Sequence, residues 1–112
     1  MANTELQFLD STLLSKLQNG RFIVPEVIVF SDINFNTELL RTNLNVYYVG
    51  DEINDFISSI IIISGYWQFY KDFHYETPVG PVLGPGYYNW VEAVGIPNDS
   101  ISSFKCVDLV GF

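Results

Sequence analysis

A six-residue phrase occurs twice in the chain, as NDFISS at positions 54–59 and as NDSISS at positions 98–103. Each copy offers a carboxylate, an amide and hydroxyl groups, and the turn around it adds main-chain carbonyls. A hard divalent cation such as calcium binds oxygen donors of this kind, typically six to eight of them at about 2.3–2.6 Å. One such loop supplies too few donors, so two loops side by side, each lending ligands to the other's ion, would complete a site.

Turn formation is the alternative explanation of this phrase. Asn, Asp and Ser side chains commonly satisfy backbone groups where a turn enters a strand, and a single copy would need no other cause. The recurrence of the phrase in two otherwise divergent segments favours a shared binding role. No loop of the D-x-[DN]-x-[DN]-G form, the common helix-loop-helix calcium device, is present.

The repeat extends beyond the phrase. The segment IVFSDINFNTELL from Ile28 aligns with QFYKDFHYETPVG from Gln68 at an offset of 40, and PVGPVLGPG at 78–86 accommodates the larger offset of 44 at the phrase. Two copies are too few for a solenoid, so the repeat predicts a pseudo-symmetric pair of units that share one core.

The local pattern is that of β-strands. Five short segments rich in β-branched and aromatic residues are bounded by Gly, Asn, Asp or Pro: 27–30, 46–49, 57–63, 67–70 and 101–107. Several short strands at this spacing predict an all-β sandwich. With 112 residues, the chain has the length of one domain.

Residues 1–25 stand outside the repeat. Leu6, Leu9, Leu13 and Leu17 recur at three- and four-residue steps, which predicts a short amphipathic helix that ends at Asn19-Gly20. This N-terminal extension is expected to pack on the sandwich, and a partner-binding or self-associating arm is the alternative.

Charge and composition exclude several functions. Thirteen acidic residues against five basic ones give a net charge of −8, which opposes nucleic acid and anionic membrane surfaces as partners. Cys106 is the only cysteine, so an internal disulfide and a cysteine-based zinc site are excluded. No apolar run approaches the roughly 20 residues of a membrane span, and no secretory signal is recognisable, so we expect a cytoplasmic location.

Other conspicuous residues suggest rival functions. Tyr66, Trp67, Tyr87, Tyr88 and Trp90 could form a platform for a carbohydrate or protein partner, although alternate ones are expected in the core. A hydrolase could be imagined from His74 with Ser58 or Ser102. No nucleophile elbow or orienting partner accompanies them, so we expect no enzyme.

Taken together, these sequences resemble the βγ-crystallins, particularly the single-domain microbial calcium-binding type. The resemblance covers roughly residues 26–107. It rests on both N-D-x-I-S-S phrases, on the aromatic openings FSDINF and YKDFHY, and on LGPGYY and GIPNDSISS in the second unit. It implies a βγ-crystallin domain at 26–112 that packs two Greek-key motifs, about 26–64 and 66–107, as a β-sandwich.

The resemblance also implies two calcium ions in a paired clamp. In the family pattern, each ion takes the third-residue carbonyl and the fifth-residue hydroxyl of one phrase and the second-residue carboxylate of the other phrase. The residue after the opening aromatic adds a main-chain carbonyl. The implied ligands are Ser31, Asp55, Phe56, Ser58, Lys71, Asp99, Ser100 and Ser102.

The chain departs from the family pattern at two hairpin positions. The family usually has Gly two residues after the second aromatic, where a positive φ is required, and this chain has Thr37 and Thr77 there. Because β-branched residues resist that conformation, the sequence predicts a local change of shape, with Asn36 as a substitute in the first hairpin.

Overall fold

The computed structural model describes residues 2–98 and 100–112. Its single α-helix in this range, α1, spans Ser11–Gln18, and short 3-10 turns lie at Ile33–Phe35, Phe73–Tyr75 and Val91–Val94. The strands of this range are β1 (Glu5–Gln7), β2 (Phe22–Ile23), β3 (Glu26–Phe30), β4 (Glu38–Thr42), β5 (Asn45–Tyr48), β6 (Ser59–Ser64), β7 (Tyr66–Tyr70), β8 (Pro78–Leu83), β9 (Gly86–Tyr88), β10 (Ser103–Asp108) and β11 (Val110–Gly111).

Two antiparallel sheets form the body of the domain. One has the order β4-β3-β6-β9 and the other has the order β1-β5-β10-β7-β8, while β2 and β11 pair separately. The third strand of each unit crosses to the sheet of the other unit, because β5 pairs with β10 and β9 pairs with β6. This exchange ties the two units to one core and confirms the predicted sandwich of two Greek-key motifs.

The core lies between the two sheets and follows the alternation of the strands. On one sheet, Val27, Val29 and Ile60 are fully buried, and on the other Trp67 and Phe104 are fully buried and meet edge to face, with ring centroids 6.1 Å apart. Side chains of successive strand residues point to opposite faces, so every second residue reaches this layer. Apolar burial of this kind is the main source of folding free energy.

The N-terminal extension contains the predicted helix, but the helix is shorter than the leucine pattern indicates. Leu9 and Leu13 are buried against the core, and Gly20 follows the helix with a φ of 73°. Leu6 instead lies in β1 and is about half exposed, because β1 pairs with the outer edge of β5. Among the described residues, no helix is long and apolar enough to cross a membrane.

The hairpins after β3 and β7 fold back in similar ways. Asn34 and His74 occupy the left-handed region, with φ of 58° and 61°. Thr37, where the family pattern usually has Gly, also takes a positive φ of 57°, and its hydroxyl donates to the Asp32 carboxylate at 3.1 Å. Asn36 is extended, with φ of −90° and ψ of 145°, so the prediction that Asn36 substitutes for the glycine is wrong.

Candidate metal centre

The serine at the fifth position of each phrase is held through its backbone N–H at the end of the strand that precedes the hairpin. The N–H of Ser58 donates to the carbonyl of Phe30 at 2.8 Å, and the N–H of Ser102 donates to the carbonyl of Tyr70 at 2.9 Å. Ser58 and Ser102 are both buried. Each phrase is therefore placed next to the residue that follows the opening aromatic of its own unit.

The carbonyls of the same two serines bond to the opposite unit. Val91 in the second unit donates its N–H to Ser58 at 2.9 Å, and Val49 in the first unit donates to Ser102, also at 2.9 Å. Each phrase is thus bonded to a residue of the opposite unit that lies outside the other phrase. These two bonds hold each phrase against the opposite unit, and the predicted clamp stays a prediction.

Ser59, at the sixth position of the first phrase, has a structural role. The Ser59 hydroxyl donates to the carbonyl of Asp32 at 2.5 Å and accepts the N–H of Phe35 at 3.1 Å. Because Ser59 is fully buried, these bonds satisfy polar groups of the hairpin that would otherwise lack partners. Part of the phrase is therefore explained by local backbone chemistry.

The second phrase repeats this arrangement. The Ser103 hydroxyl donates to the carbonyl of Asp72 at 2.6 Å and accepts the N–H of Tyr75 at 3.1 Å. We call these two serines the hairpin latches. The sequence analysis did not distinguish Ser59 and Ser103 from the neighbouring Ser58 and Ser102. The available signal was that both copies of the phrase end in serine.

The clearest meeting of the two phrases lies on the Lys71 side. The Ser102 hydroxyl donates to the Asn54 amide oxygen at 2.5 Å, and the N–H of Asp55 points to the Ile101 carbonyl at 3.4 Å. Asn54, Asp55, Ser102 and Lys71 line one open cavity of about 740 Å³. Three of the predicted ligand residues are therefore brought together here, and Asn54 is an addition that the sequence reasoning missed.

The hydrogen bond from Ser102 to Asn54 bears directly on ion binding. A serine hydroxyl has one proton and two lone pairs, and here the proton is directed to the amide oxygen. This direction of the bond leaves the lone pairs of the Ser102 oxygen unused by Asn54, so they can be offered to a cation. Asn54 is thus a positioning residue for the predicted ligand Ser102.

The other predicted ligands on this side differ in how far the structure defines them. The Ser100 hydroxyl donates to the Pro97 carbonyl at 2.5 Å, so the side chain is engaged within its own turn. Lys71 is exposed, and its N–H donates to the Thr77 carbonyl at 2.9 Å. The main-chain carbonyls of Lys71 and Ser100 stay predicted ligands.

The Ser31 side is described in part, because Asp99 lies outside the described residues. Ser31 is half-buried and donates its N–H to the Thr37 carbonyl at 3.0 Å. Phe56 has an exposed side chain, and its N–H donates to the Ile53 carbonyl at 2.9 Å. The grouping of Ser31, Phe56, Ser58 and Asp99 around one ion therefore stays a prediction.

The donor chemistry of the cavity fits a hard cation. Its phrase residues offer amide, carboxylate and hydroxyl oxygens, which suit calcium better than a metal that prefers nitrogen or sulfur. Within 2–98 and 100–112, no group of three or more His, Cys, Asp or Glu side chains is placed to hold a metal ion. An ion at this clamp would depend mainly on neutral oxygens.

Comparisons with known proteins show the family to which the fold belongs. The sequence profile of the Beta/Gamma crystallin family matches residues 26–107. The chain belongs to the βγ-crystallin family. Its members are structural and binding domains. A search of curated proteins found no match.

Solved structures similar to this βγ-crystallin come from several organisms. A βγ-crystallin from an archaeon is 41% identical over 76% of this chain and all of that chain, with a TM-score of 0.70. A βγ-crystallin from Ciona intestinalis is 31% identical over 72% of this chain and 98% of that one, with a TM-score of 0.65. A transition-metal-ion-binding βγ-crystallin from Methanosaeta thermophila, 24% identical over 71% of this chain and 98% of that one, has a TM-score of 0.60 and shares the fold.

Tyr48 and Asp51 form a hydrogen-bonded pair beside the cavity of this βγ-crystallin. The Tyr48 hydroxyl donates to the Asp51 carboxylate at 2.6 Å, and the Ala2 N–H donates to the same carboxylate at 2.7 Å. The bond to Asp51, desolvation and the nearby carboxylates, including Asp55 and Glu5, raise the pKa of Tyr48 to about 12. The same bonds from Tyr48 and Ala2 lower the pKa of Asp51.

His74 has a structural place in this βγ-crystallin. Its ring stacks on Tyr47, with centroids 3.6 Å apart and planes 6° from parallel. Although His74 and Ser102 both line the cavity, the Ser102 proton goes to Asn54, whereas a serine nucleophile would direct it to the base. The geometry gives no support to the imagined pair of Ser102 and His74.

The five aromatic residues considered as a rival binding platform are divided between core and surface. Trp67 is fully buried and Tyr88 is half-buried, while Tyr66, Tyr87 and Trp90 are exposed. The Tyr87 ring also meets Phe35 edge to face at 5.9 Å. The five residues therefore do not form one continuous surface for a carbohydrate or protein partner.

Proposed function

We propose that this βγ-crystallin binds two calcium ions in a paired clamp and that binding stabilises the folded domain. The single observation that carries the proposal is the contact between the phrases, in which Ser102 donates to Asn54 at 2.5 Å within the cavity that Asp55 also lines. This contact joins one residue of each phrase on the Lys71 side, which supports a site that neither phrase could form alone.

The proposed ligand sets follow the pseudo-symmetry of the chain. The Lys71-side ion takes main-chain carbonyls from Lys71 and Ser100, the Ser102 hydroxyl and the Asp55 carboxylate. The Ser31-side ion takes main-chain carbonyls from Ser31 and Phe56, the Ser58 hydroxyl and the Asp99 carboxylate. Water would complete each coordination shell.

Calcium in such a site neutralises the carboxylate and holds two chain segments together. The net charge of −8 favours cations as ligands. With one carboxylate per ion, the dissociation constants should lie roughly between micromolar and sub-millimolar. An ion that binds only the folded form stabilises it by about 2.7 kcal/mol per site at a hundredfold excess over the dissociation constant.

Calorimetry and thermal denaturation of chelator-treated protein test this proposal. We expect calcium to release or absorb heat for two ions per chain and to raise Tm. The double variant Asp55→Ala, Asp99→Ala should lose both effects, and a matched double variant at Glu52 and Glu76, each changed to Ala, should retain them. Absence of both effects in the unmodified chain would refute the proposal.

A further inference from the structure

The N-terminal strand lies beside the Lys71-side clamp. β1 pairs antiparallel with β5, and Glu5 stands opposite Tyr48. Glu5 lines the same cavity as Asp55 and Ser102, although β1 lies outside the segment that matches the family. An element added to the family domain therefore borders the proposed calcium site.

The N-terminal segment also contacts the start of the loop that leads to Asp55. Ala2 and Asp51 exchange two hydrogen bonds, since the Ala2 N–H donates to the Asp51 carboxylate at 2.7 Å and the Asp51 N–H donates to the Ala2 carbonyl at 3.0 Å. The Thr4 hydroxyl donates to the Val49 carbonyl at 2.7 Å. Between these contacts, a Cβ on Gly50 would lie 2.8 Å from the Thr4 nitrogen, so the close approach requires glycine.

The contacted loop continues directly into the first phrase. The N–H groups of Ile53 and Asn54 donate to the Gly50 carbonyl at 3.1 and 2.8 Å. This turn connects the docked residues to Asn54 and Asp55. Docking of the N-terminal segment thus restrains the residues that would position and bind the ion.

We propose that β1 forms part of the Lys71-side calcium site, in addition to the two phrases. Glu5 adds negative charge to this site, and docking of the strand is coupled to ion binding. The inference rests on the proposed function. Lys71 brings a positive side chain to this cavity, which opposes a cation, and the Glu5 carboxylate offsets that charge. If an ion favours the docked strand, the docked strand favours the ion by the same factor.

Calcium calorimetry on the full chain tests the charge role of Glu5. Glu5→Gln keeps the shape of the side chain and removes its charge, and the exposed Glu76→Gln is the matched control outside the cavity. We expect Glu5→Gln to weaken one of the two sites about fivefold, and Glu76→Gln to change both by less than about twofold. Equal affinities in the two variants would overturn the charge role.

Hydrogen exchange with and without calcium tests the coupling. We expect calcium to slow amide exchange within residues 2–9 of the unmodified chain, and Asp55→Asn to abolish that change while exchange in the core strands shows that the variant is folded. Unchanged exchange at residues 2–9 despite two bound ions would overturn the coupling and leave the proposed function intact. A chain that binds no calcium at all would overturn both.

Discussion

The hairpins after β3 and β7 are both held by a buried serine, Ser59 or Ser103, whose hydroxyl bonds to the hairpin backbone. Their outer residues Asn34 and His74 make different contacts. In the first hairpin, the Asn34 N–H donates to the Asn89 carbonyl at 2.9 Å, and the two side-chain amides lie 3.3 Å apart. In the second hairpin, His74 stacks on Tyr47 at 3.6 Å. Both units retain the latch, and both also retain a threonine hydroxyl that donates to an aspartate carboxylate, from Thr37 to Asp32 and from Thr77 to Asp72. The contacts of Asn34 and His74 are the ones that differ, so a polar contact and an aromatic contact can replace one another at this position.

The two crossed strands differ in a second way. β5 has β1 on its outer side, whereas β9 forms the edge of its sheet. An edge strand leaves backbone groups unpaired, and the three-residue length of β9 limits that exposure. The Lys71 side therefore has a wall from the N-terminal extension, and the two proposed calcium sites have unequal surroundings despite their shared phrase.

The largest effect is expected from removing either hairpin latch. Ser59→Ala and Ser103→Ala should each lower the free energy of unfolding by about 2 kcal/mol, because each leaves a partly buried backbone N–H and carbonyl without the serine hydroxyl that pairs with them. Urea denaturation without calcium measures both changes. Ser15→Ala, on the exposed side of α1, is the control and should stay within about 0.5 kcal/mol.

This pair of variants tests the equivalence of the two units. Similar losses of unfolding free energy in Ser59→Ala and Ser103→Ala would show that the two serines stabilise their hairpins equally, despite the different contacts of Asn34 and His74. A loss at Ser103 much smaller than the loss at Ser59 would contradict that equivalence, and it would indicate that the His74–Tyr47 stack holds the second hairpin by itself.

A smaller effect is expected from Asn54, which distinguishes the Lys71 side from the Ser31 side. Asn54→Ala removes the acceptor of the Ser102 proton and should weaken one calcium site about tenfold, equivalent to about 1.4 kcal/mol. Asn54→Asp keeps an acceptor oxygen and should bind at least as tightly as the unmodified chain. Calcium calorimetry measures both, and equal losses in the two variants would show that the acceptor does not position Ser102.

The smallest effect is expected from Tyr48→Phe, which removes the bond to Asp51. We expect Tm to fall by about 2 °C or less near neutral pH, since this pair is solvent-accessible. A pKa of about 12 lies above the ordinary tyrosine value of 10.0, so this stabilisation is complete below pH 10 and is lost as pH rises towards 12. The low pKa of Asp51 means that the stabilisation is also lost as pH falls below the ordinary Asp value and through the lowered one.

Melting curves of both proteins between pH 2 and 12 measure this profile. The difference in Tm should be constant between about pH 5 and 10 and should shrink at both ends of the range. A difference that keeps growing above pH 10 would contradict the assignment of the Tyr48–Asp51 bond.

The predicted strands were those with strong local patterns, and the missed ones depend on their neighbours. Segments 27–30 and 67–70 carry β-branched or aromatic runs and were recognised as strands, close to the observed β3 and β7. The strand β8 contains two prolines and a glycine, and its conformation depends on pairing with β7. Leu6 was assigned to a helix because the leucine spacing is helical, yet the open edge of β5 recruits it into a strand.

The sequence by itself determined the duplication, the sandwich and the oxygen-rich phrases, because strand periodicity and repeated residue types are local properties of the chain. Tertiary structure decided the division of work within each phrase. Only the folded chain places Asn54 against Ser102 and Glu5 opposite Tyr48, since these partners are more than 40 residues apart. Contacts at such separations are selected by the packing of the two sheets, and no short pattern in the sequence encodes them.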